Sequence, residues 1–198
     1  MTRFEKNIFP LLKREGFYNN DPDDLGGETY RGIARNYHPR WEGWLIVDAC
    51  KQALDRPLRR NERIPSAELD RMILDFYQKL FWKPIYADYI HNDSLVDLLF
   101  DTHVLCGKRA VKFLQQAINE VGGNVLQEDW IMGKKSLQRL HQVDNKAVFE
   151  RMLELREAHH RHVAAKYPKQ QKNLAGWLTR CRKFTFSPVG TASHHKAA

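Results

Sequence analysis

The sequence predicts a mainly α fold with a small loop or hairpin region after the first helix. Three observations predict it. Apolar residues recur at three- and four-residue spacing over most of the chain, turn formers gather in one stretch at 17–43, and glycines or prolines stand between the periodic segments.

The first helix carries Phe4, Ile8, Leu11 and Leu12 on one face, and Glu15 falls on that face too. Pro10 is expected to kink this segment or to start its main helix, and Gly16 to stop it. Asn19, Asn20, Asp21, Pro22, Asp23, Asp24, Gly26 and Gly27 then read as turns, with a short hairpin around Tyr30–Ala34. Helix resumes near Trp44–Leu54. Ser66 caps the next, which runs through Leu69, Met72, Ile73, Phe76, Tyr77 and Leu80 until Pro84 ends it. Asn92 or Asp93 caps a helix bearing Leu95, Leu98, Leu99 and Thr102, and Gly107 parts it from one at about 108–120. A short helix near 134–142, a long one at about 146–166 and a last piece around Trp177 and Leu178 complete the pattern.

With 198 residues, 42% of them apolar, the chain buries enough surface to fold without disulfides or metals. Cys50, Cys106 and Cys181 are odd in number and form no C-x-x-C pair, so each reads as a small buried apolar residue in a chain made in a reducing compartment. Lys+Arg 32 against Asp+Glu 24 leaves a net charge of +8. That balance attracts an anionic partner, whether nucleic acid, an acidic membrane face or the acidic polymer of a bacterial wall, and charge alone does not choose among them. No apolar run reaches the roughly 18 residues that span a bilayer, and the charged N-terminus does not resemble a signal peptide.

Chemistry concentrates between Glu15 and Ile33. The negative end of the helix dipole and an apolar face both disfavour the charged form of Glu15, the setting a general acid working near neutrality requires. On helix statistics alone, a solvated carboxylate at the rim of an amphipathic helix is the commoner case. Nine residues on, Asp24 lies in a polar loop able to fold back opposite the helix end, with Thr29 in the hairpin beyond it. One carboxylate in an apolar setting and one in a polar loop are the pair glycoside hydrolysis uses. Gly26 and Gly27 permit positive φ and leave a groove for a polymer, or merely make a tight turn, and the loop aspartates are equally suited to capping their own backbone.

Glu15-Gly16-Phe17-Tyr18, Asn20-Asp21-Pro22, Asp24-Leu25-Gly26-Gly27, Thr29 and Gly32-Ile33 together resemble the glycoside hydrolase family 108 lysozymes, N-acetylmuramidases of phages and bacteria. The family shows Gly where Phe17 stands and Pro where Leu25 stands; neither change removes a reactive group, and Phe17 is expected to reshape the cleft floor. The resemblance implies a lysozyme-like fold in which Glu15 is the general acid, Asp24 (or else Glu28) supports the oxocarbenium-like transition state or the attacking water, and Thr29 positions water. Tyr18 and Tyr30 are candidate sugar contacts, and neither cofactor nor metal is implied.

Three back-half pieces resemble the helical peptidoglycan-binding domain that often ends such enzymes. They are Phe100-Asp101 with Gly107, Ala110, Leu114 and Gln115; Asp129-Trp130-Ile131-Met132-Gly133, with Trp130 where the pattern usually has Gly; and Gly176-Trp177-Leu178-Thr179-Arg180. The expected division is a catalytic region at 1–105, a peptidoglycan-binding region at 106–186 packed against it, and a flexible tail at 187–198.

Other clusters read as surface. His159 and His162, spaced i and i+3, have no carboxylate or cysteine at ligand spacing, which favours a solvated helix face over a metal site. Arg56, Arg59, Arg60 and Arg63 form a basic group suited to an anionic polymer, although an ordinary solvated loop is commoner. Nucleotide and serine-hydrolase motifs are missing. The sequence thus points to a monomeric endolysin acting on bacterial peptidoglycan, with no nucleic-acid partner and no membrane insertion. It would be made in the cytoplasm without a signal peptide and reach the wall or periplasm on release. The rival is a non-catalytic wall-binding or secretion-assisting protein.

Overall fold

A computed structural model of the chain describes residues 1–21 and 26–188. Among them are eight α-helices and a three-stranded antiparallel sheet of two-residue strands, so the fold is mainly α. The chain divides into two compact units, Met1–Leu80 and Phe81–Ala198.

In the first unit α1 spans Arg3–Glu15. Thr2 starts it with a capping box: its side chain accepts the Glu5 N–H while the Glu5 carboxylate takes the Thr2 N–H. That cap lies upstream of Pro10, so the helix begins at Arg3 and runs through the proline rather than starting at it. Phe4, Ile8, Leu11 and Leu12 are buried along one face, as their spacing predicts, and each such burial is worth about 1.5–3 kcal/mol. The strands β1 (Tyr18–Asn19), β2 (Thr29–Tyr30) and β3 (Ile33–Ala34) follow in that order across the sheet. α2 covers Gly43–Ala53 and α3 Ala67–Tyr77, the latter capped by the Ser66 side chain accepting the Leu69 N–H. Trp41 and Trp44 meet edge to face at 5.2 Å, and Trp41 also meets Phe76 of α3 at 6.0 Å. The α3 pattern was expected to continue to Leu80. Instead the helix ends at Tyr77, and Gln78–Trp82 widen into a π turn before a 3-10 turn at Lys83–Ile85. Pro84 supplies no N–H and crowds the carbonyl four residues back, which excludes regular α geometry there.

In the second unit α4 spans Asp93–Cys106, α5 Arg109–Gly122, α6 Lys134–Leu140, α7 Asn145–Lys166 and α8 Gln171–Cys181. Asn92 caps α4 by accepting the Leu95 N–H. The helix is buried nearly all round, Leu95, Val96, Leu98, Leu99 and Phe100 included, because α5 and α7 pack on it. Asp101 on α4 accepts from Arg156 of α7 at 2.7 Å and Arg180 of α8 at 2.8 Å, and Arg156 is fully buried. Ser187, where the flexible tail was expected to begin, donates its N–H to Ser94 Oγ and accepts from the Asn92 side chain. Among the described residues no helix is long and apolar enough to cross a membrane, and no three His, Cys, Asp or Glu side chains converge to hold a metal.

Candidate active site

Glu15 is the last residue of α1, half-buried, with Gly16 closing the helix behind it. The chain then enters β1, which pairs with β2 in the register Tyr18↔Tyr30 and Asn19↔Thr29. Strands β2 and β3 pair through Tyr30↔Ile33, leaving Arg31-Gly32 as a two-residue turn. Both turn residues have positive φ, 52° and 77°, which is the type I′ geometry that suits the twist of a tight hairpin.

This hairpin tip meets the end of α1. The Arg31 guanidinium donates to Leu12 O at 3.0 Å and to Gly16 O at 3.4 Å, satisfying carbonyls that the helix end leaves open. Its Cζ lies 3.5 Å above the centre of the Phe17 ring. The Arg31 N–H bonds Phe17 O, and Tyr77 Oη of α3 donates to Arg31 O at 2.7 Å. Burial lowers the affinity of the Arg31 guanidinium for its proton, although the cation persists at any working pH. A Cβ placed on Gly32 would sit 2.7 Å from Tyr77 Oη and 3.1 Å from Glu15 Oε2, so the carboxylate lies directly against the turn.

A cleft of about 1200 Å³ opens here, and Glu15, Tyr18, Asn19, Thr29, Arg31 and Gly32 are among its lining residues. Thr29 Oγ1 donates a long hydrogen bond, 3.4 Å, to Asn19 O. Tyr18 is buried, and its hydroxyl donates to Glu28 at 2.9 Å. Burial first, and then the hydrogen bond to Glu28, raise that phenol to about 12. Tyr30 stands elsewhere: fully buried, with its hydroxyl accepting the Ile64 N–H at 3.0 Å, it has no face on the cleft. The sugar contact expected of it is replaced by a packing role, since its side of the strand points into the core. Glu28 is likewise absorbed by Arg35 at 2.7 Å, Lys51 at 2.8 Å and the Tyr18 hydroxyl, and it does not line the cleft. Asp24 lies outside the described residues.

Several lining residues were not singled out by the sequence. Asn61 accepts the Phe17 N–H at 2.9 Å and donates its own N–H to Tyr18 O at 2.6 Å, tying its loop to β1. Asp70 of α3 pairs with Arg63 at 3.0 Å, and both line the cleft. An Asn held at φ +60° is a turn signal only in hindsight, and Asp70 reads locally as a first-turn helix acid. The arginine group divides by role. Arg60 and Arg63 line the cleft, whereas Arg56 grips Glu62, and together with the Arg59 N–H it holds that carboxylate down to about 2.

In the second unit, Gln115 Nε2 donates to Asp129 Oδ1 at 2.8 Å and Ile131 O at 3.2 Å. His160, between the two histidines expected on a solvated face, is buried and stacked on Trp177 at 5.1 Å.

Comparison with known proteins places these features. The family model described as Glycosyl hydrolase 108 matches residues 9–107. Twelve chains of known structure match, among them the structure of Brucella abortus SagA, with a TM-score of 0.60 and 19% sequence identity over 93% of this chain and 97% of that one. At that identity the likeness speaks for the fold. No curated protein matches the chain.

Proposed function

The chain belongs to the glycosyl hydrolase 108 family, and from that premise we propose that it is a lysozyme-type muramidase, cleaving the β-1,4 bond between N-acetylmuramic acid and N-acetylglucosamine in peptidoglycan. One observation carries the reading: the Glu15 carboxylate stands at the end of an apolar-faced helix, against a hairpin tip, in a cleft of about 1200 Å³.

Glu15 protonates the glycosidic oxygen, and as the bond breaks positive charge develops on the sugar. Asp24 supports that charge or activates the attacking water, and Thr29, on the cleft wall, orients the water. Glu28 is less suited to the second role, because two cations and a phenol already occupy its oxygens. Tyr18 offers a sugar contact from the cleft wall. Residues 106–186 act as the wall-binding region, and the protein works as a monomer at the cell wall after release from the cytoplasm.

The deciding experiment is turbidity loss of purified cell walls with wild type, Glu15→Gln, Asp24→Asn and Glu28→Gln. Lysis by wild type, at least about 100-fold less by Glu15→Gln, and a loss with Asp24→Asn exceeding that with Glu28→Gln are expected. Equal lysis by wild type and Glu15→Gln would remove Glu15 from the mechanism. No lysis by wild type on several wall types, with binding retained, would favour a non-catalytic wall-binding protein.

A further inference from the structure

Two aromatic rings in the lining of the Glu15 cleft are already engaged. Phe17 lies under the Arg31 guanidinium at 3.5 Å, and Tyr18 is buried with its hydroxyl on Glu28. Two others are open: Tyr37 is 66% exposed and Phe9 44%. Among the described residues neither ring meets another ring or a cation, and the Tyr37 hydroxyl makes no hydrogen bond. A single exposed aromatic is ordinary surface. These two differ because both open on one cleft and both project from backbone that is held in place.

Tyr37 stands in the turn that follows β3. Its N–H and that of His38 both bond Ala34 O, at 3.2 and 2.9 Å, and the Asn36 N–H bonds Gly26 O. The neighbouring His38 turns inward: its ring meets Phe76 at 4.8 Å, and its carbonyl accepts the Trp44 indole N–H at 2.9 Å. The turn is therefore fixed on both sides of Tyr37, while the phenol ring itself is left to the cleft. Phe9 lies on the helix side. With Leu12 and Lys13 it forms an i, i+3, i+4 stripe of α1 that lines the cleft. It stands six residues before Glu15, about 9 Å of helix, so a ring resting on it is set back from the reacting bond.

The basic lining supplies contacts for charge, but a pyranose ring also presents a face of C–H groups, and a flat aromatic face covers that without needing a counter-charge. We propose that Tyr37 and Phe9 are sugar-stacking residues of the cleft, each receiving one N-acetylhexosamine ring of the glycan strand. The substrate class rests on the muramidase reading. The two residues bind the strand, and Glu15 remains the group that reacts.

The test is calorimetric binding of peptide-free peptidoglycan glycan strands to the full chain in the Glu15→Gln background, so that nothing is digested. Tyr37→Ala and Phe9→Ala are each expected to weaken binding about tenfold, whereas Tyr37→Phe, which keeps the ring, stays within about twofold. Both side chains are exposed, so melting temperatures stay within about 3 °C of the parent. The loss is the same at about 20 and 300 mM salt, which separates stacking from capture by the basic lining. With Glu15 intact, the alanine variants should raise KM for wall lysis several-fold and leave kcat within about twofold. Undiminished affinity in either alanine variant overturns the two-residue assignment, as does a parent that binds no strand. An equal loss in Tyr37→Phe and Tyr37→Ala assigns the effect to the hydroxyl and overturns stacking; a large fall in melting temperature assigns the rings to packing and does the same. Wild-type lysis with KM unmoved by the variants sinks this proposal alone, and strand binding that depends on both rings without wild-type lysis sinks only the muramidase reading.

Discussion

Glu15 and Gly32 depend on each other. The turn residue needs positive φ, and the space where its Cβ would stand is already filled by Tyr77 Oη and the Glu15 carboxylate. Gly32→Ala therefore combines a conformational cost of about 1 kcal/mol with displacement of the Glu15 carboxylate, and about 2–3 kcal/mol of stability and, on the proposed role of Glu15, most wall lysis should be lost. Gly107 is the control: φ is +60° there too, but nothing lies within 4 Å of its Cβ position. Gly107→Ala should cost only the conformational part, about 1 kcal/mol, and leave lysis intact. Paired thermal melts and turbidity assays separate the two effects. The spacing of Glu15 from the leucines was legible in the sequence, and so was the turn at Gly32. That a tyrosine 45 residues beyond that turn helps fill the space was not, because no local pattern links them.

At the scale of elements, α4, α7 and α8 are joined at one buried carboxylate. Asp101 serves two arginines, and removing it leaves fully buried Arg156 without a counter-charge. Asp101→Asn should cost about 3–5 kcal/mol, lowering the melting temperature by roughly 6–15 °C. His160 sits in the same cluster. Burial, and then the Arg156 charge, lower its pKa from 6.5 to about 4. The folded state therefore resists a proton that the unfolded chain accepts, and this contribution to stability is complete above pH 6.5 and declines as pH falls from 6.5 towards 4. Melts at pH 7 and pH 4.5 should show a smaller drop for His160→Asn than for wild type; equal drops would place the acid sensitivity elsewhere. The helical period of this segment was readable from sequence, but which of its three histidines turns inward depends on α8 lying across it, a fact of packing.

For the molecule as a whole, the net charge of +8 acquires a location. Lys13, Arg14, Arg31, Arg60 and Arg63 line the cleft, against Glu15 and Asp70 among the described acidic residues. Five cations against two carboxylates attract an acidic polymer, so the apparent KM for wall substrate should rise several-fold between about 20 and 300 mM salt, with kcat little changed. A salt-independent KM would show that the basic lining does not contribute to capture.

The sequence by itself determined the helices, the cap at Ser66, the hairpin, and the family motif around Glu15, because each is written in residues within a few positions of one another, and it narrowed the α4 cap to Asn92 or Asp93. It did not determine that Tyr30 belongs to the core, that Glu28 is consumed by Arg35 and Lys51, or that Arg31 ties the hairpin to the end of the Glu15 helix. Those outcomes were decided by tertiary structure. A polar side chain takes its role from whichever distant groups surround it, and only folding brings those groups within hydrogen-bonding distance.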